Sequence, residues 1–466
     1  MNRYPDSFYK SHSITQVISE HEDLVKDVTE VTTAGRVLAR RAFGKIIFLD
    51  IQDFSSKIQC YAREDILGST KQVFIEKQLK VGDVVGVRGT AFLPKSGEKS
   101  IKLDDIFLLS ETTLPFPEKY HRLVDQEARY RQRYLDLIMN SDTRKIFQTR
   151  FLLLKELRRF LDGRGFIEVE TPIFQHTPCG ASANPFRTRH DAKGIDLYLR
   201  ISPETYLKQL IVAGIDRVYE IGKNFRNEGV DPTHLQEFTM LEFYVSYWSY
   251  RENIVFVQEL LREIIQRSTG GLSIPCNEIT LDFGAEWSHV KYRDVLLSGT
   301  GIDVLEMRNT TELLAEMKRC GVEIEHEKVE SLGSMVDKLY KRFVRPNLVQ
   351  PTILMQHPAY LLPLARPSDE DPRVADSFQV LVNGWEIVKA YSELADPELQ
   401  RSLLEGQSQS RKDGDKEAMF LDEDFLLSLK YGMPPVSGVG IGIDRLLAIL
   451  TNQRNLNEVV LFPLMK

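Results

Sequence analysis

A polar turn between two β-like runs contains the residues best suited to phosphate chemistry. Residues 225–244 consist of a β-like entry, the turn Arg226-Asn-Glu-Gly, and a β-like return that carries Phe238, Glu242 and Tyr244. Such a hairpin could hold Arg226 as a bidentate donor to a phosphate and present the face of Phe238 to a purine. Taken alone, an Arg-Asn-Glu turn is more often a solvated loop, and a strand Phe is more often core.

A glycine-rich segment near the C-terminus is a second candidate for ligand contact. Residues 438–450 read Gly-Val-Gly-Ile-Gly-Ile-Asp-Arg-Leu-Leu-Ala-Ile-Leu, a strand-like start that runs into a helical pattern. The spacing G-x-G-x-G differs from the G-x-G-x-x-G of dinucleotide-binding folds, and no strand with an acidic ribose ligand follows about 20 residues later. The glycines favour close approach of the backbone to a ligand, and Arg445 at the helix start supplies a charge for phosphate.

The segments around these motifs predict two domains. Five β-like runs between residues 31 and 109, broken by glycines and charged turns, predict a small barrel. Two prolines in the following stretch indicate a linker, after which helical and strand patterns mix. The predicted bounds are 1–115 for the first domain with its barrel core at 28–110, 116–128 for the linker, and 129–466 for the second domain with a mostly helical insertion at about 296–342.

Composition places the chain among ordinary globular proteins. Its 466 residues, 42% of them hydrophobic, suffice for two or three domains, and the net charge of −7 excludes a protein that is basic throughout. Four cysteines without a C-x-x-C pair argue against a disulfide framework or a structural zinc site, and they fit a reducing cytoplasm. The start lacks a signal peptide, and no apolar run approaches the roughly 18–20 residues of a membrane span, so no membrane partner is expected.

The order of three segments resembles the three signature motifs of class II aminoacyl-tRNA synthetases, and the closest resemblance is to the lysyl-tRNA synthetases. The segments that carry this resemblance are 165–174, 225–244 and 438–450, supported by 130–137, 199–208 and 417–424. Together they cover nearly the whole chain. The resemblance implies an α+β protein with an N-terminal OB-fold β-barrel and a class II catalytic domain, an antiparallel sheet flanked by helices. It also implies a homodimer that activates L-lysine with ATP and transfers it to tRNA(Lys).

The resemblance further implies how ATP is bound. Arg226 would bind the α-phosphate, Glu228 the adenine amino group, and Phe238 one face of the adenine. His234 and Arg445 would meet the β- and γ-phosphates, with Arg445 also covering the other adenine face. Adenylate formation needs no covalent nucleophile or general base, so positioned guanidinium groups and Mg²⁺ should supply most of the catalysis.

The lysine pocket follows from the same resemblance. The implied contacts are Gly180 and Glu204 at the α-amino group, Glu242, Tyr244 and Glu393 around the ε-ammonium, and Tyr391 along the aliphatic stem. Two carboxylates in a closed pocket favour a buried cation. Aspartyl and asparaginyl relatives share the architecture, but an aspartate pocket should present cations where this chain has Tyr391-Ser-Glu-Leu. The alternative for Glu242 is that it caps a surface strand.

Two other classes of function stay open at this point. A synthetase-like paralogue would activate a different amino acid or modify a protein, and a non-catalytic homologue would keep the fold and bind RNA. A dedicated protein-modifying paralogue is expected to lack the N-terminal barrel, and a dead homologue to have lost Arg226 or Arg445. All three features are present here.

The barrel is predicted to read the anticodon. OB-like folds bind single-stranded bases by stacking and edge hydrogen bonds, and basic residues between positions 36 and 45 form a local strip. By resemblance, Phe48 would stack on the central uridine, with Arg40, Gln59 and Glu98 contacting neighbouring bases. Taken singly, Phe48 fits the barrel core equally well.

Two positions depart from the family pattern near the reacting groups. At Gln379 the family normally has a glutamate that binds Mg²⁺ together with the equivalent of Glu386, and at Lys389 it normally has an asparagine. We therefore expect a weaker magnesium site that uses Glu386 and, weakly, Gln379, and fewer magnesium ions. Lys389 would supply part of the missing positive charge beside the α-phosphate. The alternative is that Lys389 points to solvent or pairs with Glu393.

Overall fold

The structure is a computed structural model that describes residues 4–94, 96–114, 123–229, 231–325 and 331–465. It divides into two compact units, Met1–Arg144 and Lys145–Lys466. This division lies later in the chain than the predicted start of the second domain at residue 129, and residues 116–122 of the predicted linker lie outside the described part. The finer domain bounds therefore stay a prediction.

The first unit is built on a closed barrel with the strand order β1-β2-β3-β5-β4. Alternation along the second strand explains the closure: Ile47, Leu49 and Ile51 point into the barrel core, whereas Phe48 lies on the other face. The five predicted strands are confirmed as an OB-fold barrel. Their bounds are β1 Glu30–Phe43, β2 Ile46–Gln52, β3 Lys57–Arg63, β4 Val84–Phe92 and β5 Ser100–Ser110.

Short helices complete the first unit. Ser13 caps the first of them in a capping box with Gln16, which satisfies backbone donors at the helix start. The helices are α1 Ile14–Ser19, α2 His21–Lys26, α3 Glu64–Leu67, α4 Ser69–Val73 with a π-helical turn Phe74–Gln78, α5 Gln126–Arg131 and α6 Arg133–Met139.

The second unit is organised around an eight-stranded sheet with the order β14-β15-β16-β17-β18-β11-β10-β6. Its central pairs are antiparallel, as predicted, and only the outermost pair at each edge of the described sheet is parallel. Its strands are β6 Ile167–Glu168, β10 Arg217–Phe225, β11 Glu237–Ser246, β14 Ser288–Lys291, β15 Thr352–Met355, β16 Ser377–Val382, β17 Trp385–Ser392 and β18 Val436–Gly442.

Two smaller sheets and a set of helices flank the large sheet. The small sheets contain β7 Phe174–Gln175, β8 Arg187–His190 and β9 Ile195–Leu199 in one, and β12 Ser273–Cys276 and β13 Ile279–Asp282 in the other. The helices are α7 Ser141–Asp162, α8 Glu204–Val212, α9 Tyr250–Thr269, α10 Tyr292–Thr300, α11 Thr310–Cys320, α12 Leu332–Phe343, α13 Pro397–Lys412, α14 Glu423–Leu429 and α15 Ile443–Leu450. Single 3-10 turns lie at Arg345–Asn347, Ala359–Leu361 and Leu456–Glu458.

The core of the second unit lies between one sheet face and the long helices. α9 contributes an apolar stripe that includes Val257, Leu261 and Ile264, at the 3–4-residue spacing of one helix face. Ser249 caps its start, and Gly270 ends it in the left-handed region at φ +85°. Burying this stripe leaves the opposite face of the sheet free to form a pocket.

The described part of the chain contains no helix that is both long and apolar enough to cross a membrane. Its four cysteines are free thiols: Cys60, Cys179, Cys276 and Cys320.

Candidate functional site

A deep pocket opens over the central strands of the second unit. Its walls contain every site residue that the sequence assigned to this unit except Gln379. At one end lie Arg226, Glu228, His234, Phe238, Glu386 and Arg445. At the other lie Gly180, Glu204, Glu242, Tyr244, Tyr391 and Glu393, with Lys389 also on the wall.

Strand alternation explains why these residues share one face. Phe238, Glu242 and Tyr244 lie at even spacing along β11, so their side chains point to the same side of the sheet. Lys389 and Tyr391 do the same on β17, and the register sets Glu242 and Lys389 on either side of Gly440 of β18. The hairpin predicted around Arg226 is formed by β10 and β11.

The glycines of β18 form the floor between the two walls. A Cβ atom on Gly438 would overlap Glu393 Oε1 and the ring of Tyr244, and one on Gly440 would overlap the Met240 side chain. At Gly438 the Tyr244 ring therefore favours glycine for space, whereas at Gly440 the overlap is with the end of a flexible side chain that can move. The side chains of Tyr244, Glu393 and Met240 approach these glycines closely, and the predicted approach of a ligand to the same backbone stays a prediction.

Arg226 and Phe238 pack together at the first end of the pocket. The guanidinium carbon of Arg226 lies 5.0 Å from the ring centroid of Phe238, within cation–π range. Arg226 Nε is buried and donates no hydrogen bond within the described residues. An unpaired guanidinium N–H is costly to bury, so this arrangement is prepared for an anionic ligand.

The first turn of α15 holds Arg445 in the wall of the pocket. The neighbouring Asp444 accepts hydrogen bonds from the backbone N–H of Thr239 at 2.7 Å and from Arg150 Nη1 at 2.6 Å, which ties this turn to β11. Arg445 Nη1 donates to the backbone oxygen of Glu386 at 3.3 Å. Burial lowers the pKa of Arg445, while the Glu386 carboxylate opposes that change. The guanidinium thus faces the pocket with spare donors.

Glu386 is a carboxylate among cations. Burial would raise its pKa, but Lys389, Arg445 and Arg345 outweigh burial and hold the pKa below its usual range. The carboxylate is therefore ionised at neutral pH. Arg345 was not identified from the sequence. It lies far from the signature motifs along the chain, so no local pattern indicates that it approaches Glu386.

Lys389 lies on the pocket wall and next to Gln379 in the strand register. Its charge lowers the pKa of Glu386, and together with burial it lowers the pKa of His357 to about 4. Gln379 Oε1 is buried without a hydrogen-bond partner among the described residues. Glu393 pairs with a different lysine, so the structure gives no support to the predicted alternative of a Lys389–Glu393 pair.

Glu228 and His234 belong to the turn that follows β10. His234 Nδ1 lies 2.7 Å from Asp231 Oδ2, which orients the imidazole, and its side chain is 42% exposed. Glu228 lines the pocket and is half-buried. Both residues stand at the open side, where they can contact a ligand that enters from solvent.

Glu242 dominates the second end of the pocket. Ser202 Oγ donates to Glu242 Oε1 at 2.8 Å and Tyr244 OH to Oε2 at 3.2 Å. Despite these hydrogen bonds, burial and the negative charge of Glu204 raise the pKa of Glu242 to about 8. Glu242 is buried, so the predicted alternative of a surface cap is wrong. A carboxyl held in this way favours the arrival of a cation.

Glu204 and Glu393 complete the acidic end. Tyr391 OH donates to both oxygens of Glu204 at 2.8 Å. Lys208 lies between the two glutamates, 2.6 Å from Glu204 Oε1 and 2.5 Å from Glu393 Oε2. The sequence analysis missed Lys208, although its position one helical turn after Glu204 places both on one helix face.

Gly180 lies beside Glu204 with φ +95°, a conformation that favours glycine. A Cβ at this position would press on the Glu204 and Ser202 side chains. Both the conformation and the close approach therefore require glycine here.

The residues present fit magnesium only where a phosphate ligand supplies most of the oxygen ligands. No group of three or more His, Cys, Asp or Glu side chains that could hold a metal occurs in the described residues. Magnesium is commonly bound by one or two carboxylates plus substrate phosphates, and Glu386 supplies one ionised carboxylate. Gln379 adds at most the carbonyl oxygen that has no partner.

The barrel carries an aromatic row on its outer face. Phe48 contacts Phe43 and Tyr61, with ring centroids 6.1 and 5.5 Å apart, and Tyr61 lies 5.1 Å from Phe92. Phe48 is absent from the barrel core, so the predicted alternative of a core role is wrong. The row offers flat surfaces for stacking.

The other predicted base contacts of the barrel are partly occupied by the protein itself. Arg40 Nη1 donates to the backbone oxygens of Ile75 and Glu76, both at 2.6 Å, at the π-helical turn. Gln59 Nε2 donates to Glu98 Oε2 at 2.9 Å. Arg41 pairs with Asp50 within the predicted basic strip, which lowers its net charge.

Comparison with known families shows which family each of these two units resembles. The model of class II tRNA synthetases (D, K and N) matches residues 125–466, and the model of the OB-fold nucleic acid binding domain matches residues 31–109. The chain belongs to the class II tRNA synthetases. The class II match spans the pocket, and the OB-fold match spans the barrel with its aromatic row.

Full-length relatives narrow the group within the class II tRNA synthetases. The chain is 42% identical over 471 residues to a lysine–tRNA ligase of Thermosipho africanus, covering all of this chain and 93% of the relative. It is 44% identical over 451 residues to a lysine–tRNA ligase of Aquifex aeolicus, with coverage of 96% and 75%. A lysine–tRNA ligase of Pasteurella multocida is 42% identical, with coverage of 96% and 89%.

Proposed function

We propose that this chain activates L-lysine with ATP to form lysyl-adenylate and transfers the lysyl group to the 3′ end of tRNA(Lys). The observation that carries the proposal is one pocket with two ends of opposite character. Arg226, Arg445 and Phe238 suit a nucleoside triphosphate at one end, and Glu242 with Glu393 suits a cationic side chain at the other. The full-length similarity to lysine–tRNA ligases supports the same reaction.

The first step joins the two ends of the pocket. The carboxylate of lysine attacks the α-phosphorus of ATP, a new P–O bond forms, and pyrophosphate leaves with the electrons of the broken P–O bond. The substrate is its own nucleophile, so the protein needs to position the reactants and stabilise the charge on the phosphorus. Arg226, whose Nε donates no hydrogen bond within the part of the chain that the structure describes, is suited to that charge.

ATP would be held by stacking and by charge. Phe238 would support one adenine face and Arg445 the other, as the place of Arg445 in the pocket wall and its fixed helix turn allow. Glu228 would accept a hydrogen bond from the adenine amino group. His234, on the open side, would meet the terminal phosphates.

We place the magnesium ion at Glu386, with the ATP phosphates as its main ligands and Gln379 as a weak one. When bound, the ion would offset negative charge on the phosphates. Lys389 stands on the same wall, and its ammonium would add positive charge beside the reacting carboxylate and α-phosphate. We therefore propose that Lys389 and the magnesium ion at Glu386 together offset the negative charge of the phosphates, so that few magnesium ions are needed.

Lysine would be recognised through both of its ammonium groups. The α-ammonium would lie beside Gly180 and Glu204, and the ε-ammonium beside Glu242, Tyr244 and Glu393, with Tyr391 along the stem. The raised pKa of Glu242 supports this placement, because an ammonium beside the carboxylate would offset the effects of burial and of the Glu204 charge that raise it. A neutral side chain of the same length would leave buried carboxylates unpaired.

Transfer completes the reaction. A terminal ribose hydroxyl of the tRNA attacks the carbonyl carbon of the adenylate, an ester bond forms, and AMP leaves. The barrel would hold the anticodon by stacking on Phe48, beside the neighbouring Phe43 and Tyr61. Gln59 and Glu98 would offer polar edges to adjacent bases, and Arg40 would do so only by giving up its carbonyl partners.

We also propose that the chain works as a homodimer in the cytoplasm. Apolar side chains are exposed in the middle of α7 and in the segment that follows the helix: Phe151 at 46%, Ile167 at 53%, Ile173 at 43% and Phe174 at 59%. An exposed group of this kind suits an interface. The four free cysteines fit a reducing compartment.

Two measurements on the full chain test the proposal. ATP–pyrophosphate exchange with each standard amino acid should depend on lysine, and aminoacylation should then load tRNA(Lys). Exchange with another amino acid alone would overturn the substrate assignment. Exchange with lysine but no tRNA charging would favour a protein-modifying enzyme, and no exchange with any amino acid would overturn the enzymatic function.

A further inference from the structure

A fully buried lysine lies within the acidic end of the pocket. Lys208 of α8 has 0% exposed surface. Its Nζ lies 2.6 Å from Glu204 Oε1 and 2.5 Å from Glu393 Oε2. The rings of Tyr391 and Phe425 flank it, with their centroids 5.7 and 5.5 Å away. Two carboxylates from distant parts of the chain thus share one resident ammonium.

The charges of this end balance only when Lys208 is counted. Glu204, Glu242 and Glu393 can carry three negative charges, all of them in buried side chains. Lys208 offsets one, and the two ammonium groups of a bound lysine would offset the other two. The substrate carboxylate would then remain for Arg226. Without Lys208, the same three carboxylates would suit a ligand with one more cation.

Lys208 also fixes which carboxylate oxygens reach the ligand. Its Nζ forms an ion pair with Oε2 of Glu393, while Oε1 of the same carboxylate faces Gly438 on the pocket floor. Among the described residues, neither Glu393 oxygen accepts a well-aligned hydrogen bond, so the ion pair with Lys208 is what distinguishes them. On Glu204, Lys208 contacts Oε1, which Tyr391 OH also reaches. Oε2 of Glu393 is therefore held in the ion pair, and Oε1 stands on the side of the pocket floor.

We propose that Lys208 is a positioning residue that sets the charge selectivity of the amino-acid site, an inference that rests on the proposed activation of lysine. It orients Glu393 toward the pocket and neutralises the negative charge of one carboxylate, so the site accepts a single side-chain ammonium. Burial alone would lower the pKa of Lys208, but Glu204 and Glu393 reverse that effect and raise it, which keeps the ammonium charged.

The test replaces Lys208 by an apolar side chain of similar length. Lys208→Met should raise the KM for lysine roughly 100-fold in ATP–pyrophosphate exchange, the order expected when one partner of a buried ion pair is removed. The KM for ATP should change less than about 2-fold, because Lys208 contacts only the acidic end. Lys341→Met, which removes an exposed lysine paired with Asp337 on α12, is the matched control and should keep both constants.

A double variant separates charge from folding. Glu393→Gln alone leaves Lys208 in excess beside the ε-ammonium, whereas Lys208→Met with Glu393→Gln removes one charge of each sign. The double variant should bind lysine roughly 10-fold more tightly than either single variant, with thermal unfolding recorded for all three. This comparison remains decisive where Lys208→Met alone folds poorly, because Glu393→Gln and the double variant can then be compared directly.

Two results would overturn the inference while leaving lysine activation intact. One is a folded Lys208→Met protein whose KM for lysine stays within about 3-fold of the parent, well below the loss expected for a buried pair. The other is a double variant no better than Glu393→Gln. Absence of lysine-dependent exchange by the unaltered protein would instead overturn the proposed function, and this inference with it.

Discussion

The guanidinium carbon of Arg226 lies 5.0 Å from the centroid of the Phe238 ring, a contact between the residue that follows β10 and the start of β11. The contact brings a hydrogen-bond donor for a phosphate next to a flat aromatic surface on which a purine can stack. It also holds Arg226 in place without using the N–H groups that a ligand needs.

Arg226→Lys should lower the kcat of pyrophosphate exchange by roughly 10²–10³-fold, because a lysine cannot reproduce the bidentate geometry at a developing charge. Thermal unfolding should be little changed. Lys223→Gln on β10, three residues before Arg226, removes a lysine 3.4 Å from Glu237; it is the control and should keep the parental rate. An unaltered rate in Arg226→Lys would exclude Arg226 from the phosphate site.

Glu242→Gln should raise the KM for lysine by about 100-fold and leave the KM for ATP nearly constant. In the parent, the pKa of Glu242 is raised to about 8, so the carboxyl is mostly protonated at pH 6.5 and ionised at pH 9. Lysine binding prefers the ionised form, and the KM for lysine should therefore fall as pH rises through 8. The variant should lack this slope. Glu237→Gln, an exposed position on the same strand, should retain it, and equal rises in both KM values would contradict the assignment.

Gly438→Ala should strongly weaken lysine binding, because the added methyl group would overlap Glu393 Oε1 and the Tyr244 ring. Gly406→Ala within α13 is the control, since nothing lies within 4 Å of its Cβ position. That change should stabilise the protein by about 0.5–1 kcal/mol through helix propensity. Lysine-dependent pyrophosphate exchange measures the loss of lysine binding in Gly438→Ala, and thermal unfolding measures the gain in stability of Gly406→Ala. A Gly438→Ala enzyme with the parental KM for lysine would contradict this prediction, because it would show that Tyr244 and Glu393 can move away from the added methyl group.

Phe48→Ala should reduce kcat/KM for tRNA charging roughly 10–100-fold, the effect expected from one lost stacked base. Pyrophosphate exchange should stay intact, because Phe48 lies outside the barrel core and so its loss should leave the fold in place. Phe107→Ala on β5 of the same barrel removes a ring that packs on Phe8 and should leave charging unchanged. Parallel loss of exchange and charging would make Phe48 a structural residue.

Lys389→Asn should slow pyrophosphate exchange by about 10-fold and shift its magnesium dependence to higher concentrations. Gln379→Glu in the same chain should restore part of the rate by adding a carboxylate ligand beside Glu386. A magnesium titration of the two single variants and the double variant measures this coupling. The proposed division of charge between Lys389 and the metal would fail if Lys389→Asn matched the parent at every magnesium concentration.

Much of the pocket could be predicted from local patterns. The alternation of Phe238, Glu242 and Tyr244 indicates one face of a strand, and the glycine spacing of 438–442 indicates a strand that lets other groups approach. Five short β runs predicted the barrel, and the structure confirms it. Such patterns depend on neighbours within a few positions of each other, so a single sequence contains them.

The partners of Lys208, Arg345 and Phe48 depend on the tertiary structure instead. Glu204 and Lys208 share a helix face by their spacing, but Glu393 reaches the same ammonium only because the chain just after β17 lies beside Val436 at the start of β18. Likewise, alternation cannot say which face of β2 is enclosed until the barrel closes and leaves Phe48 outside. The energies of buried charges depend on distance and desolvation, which arise only after segments far apart in the chain have packed together.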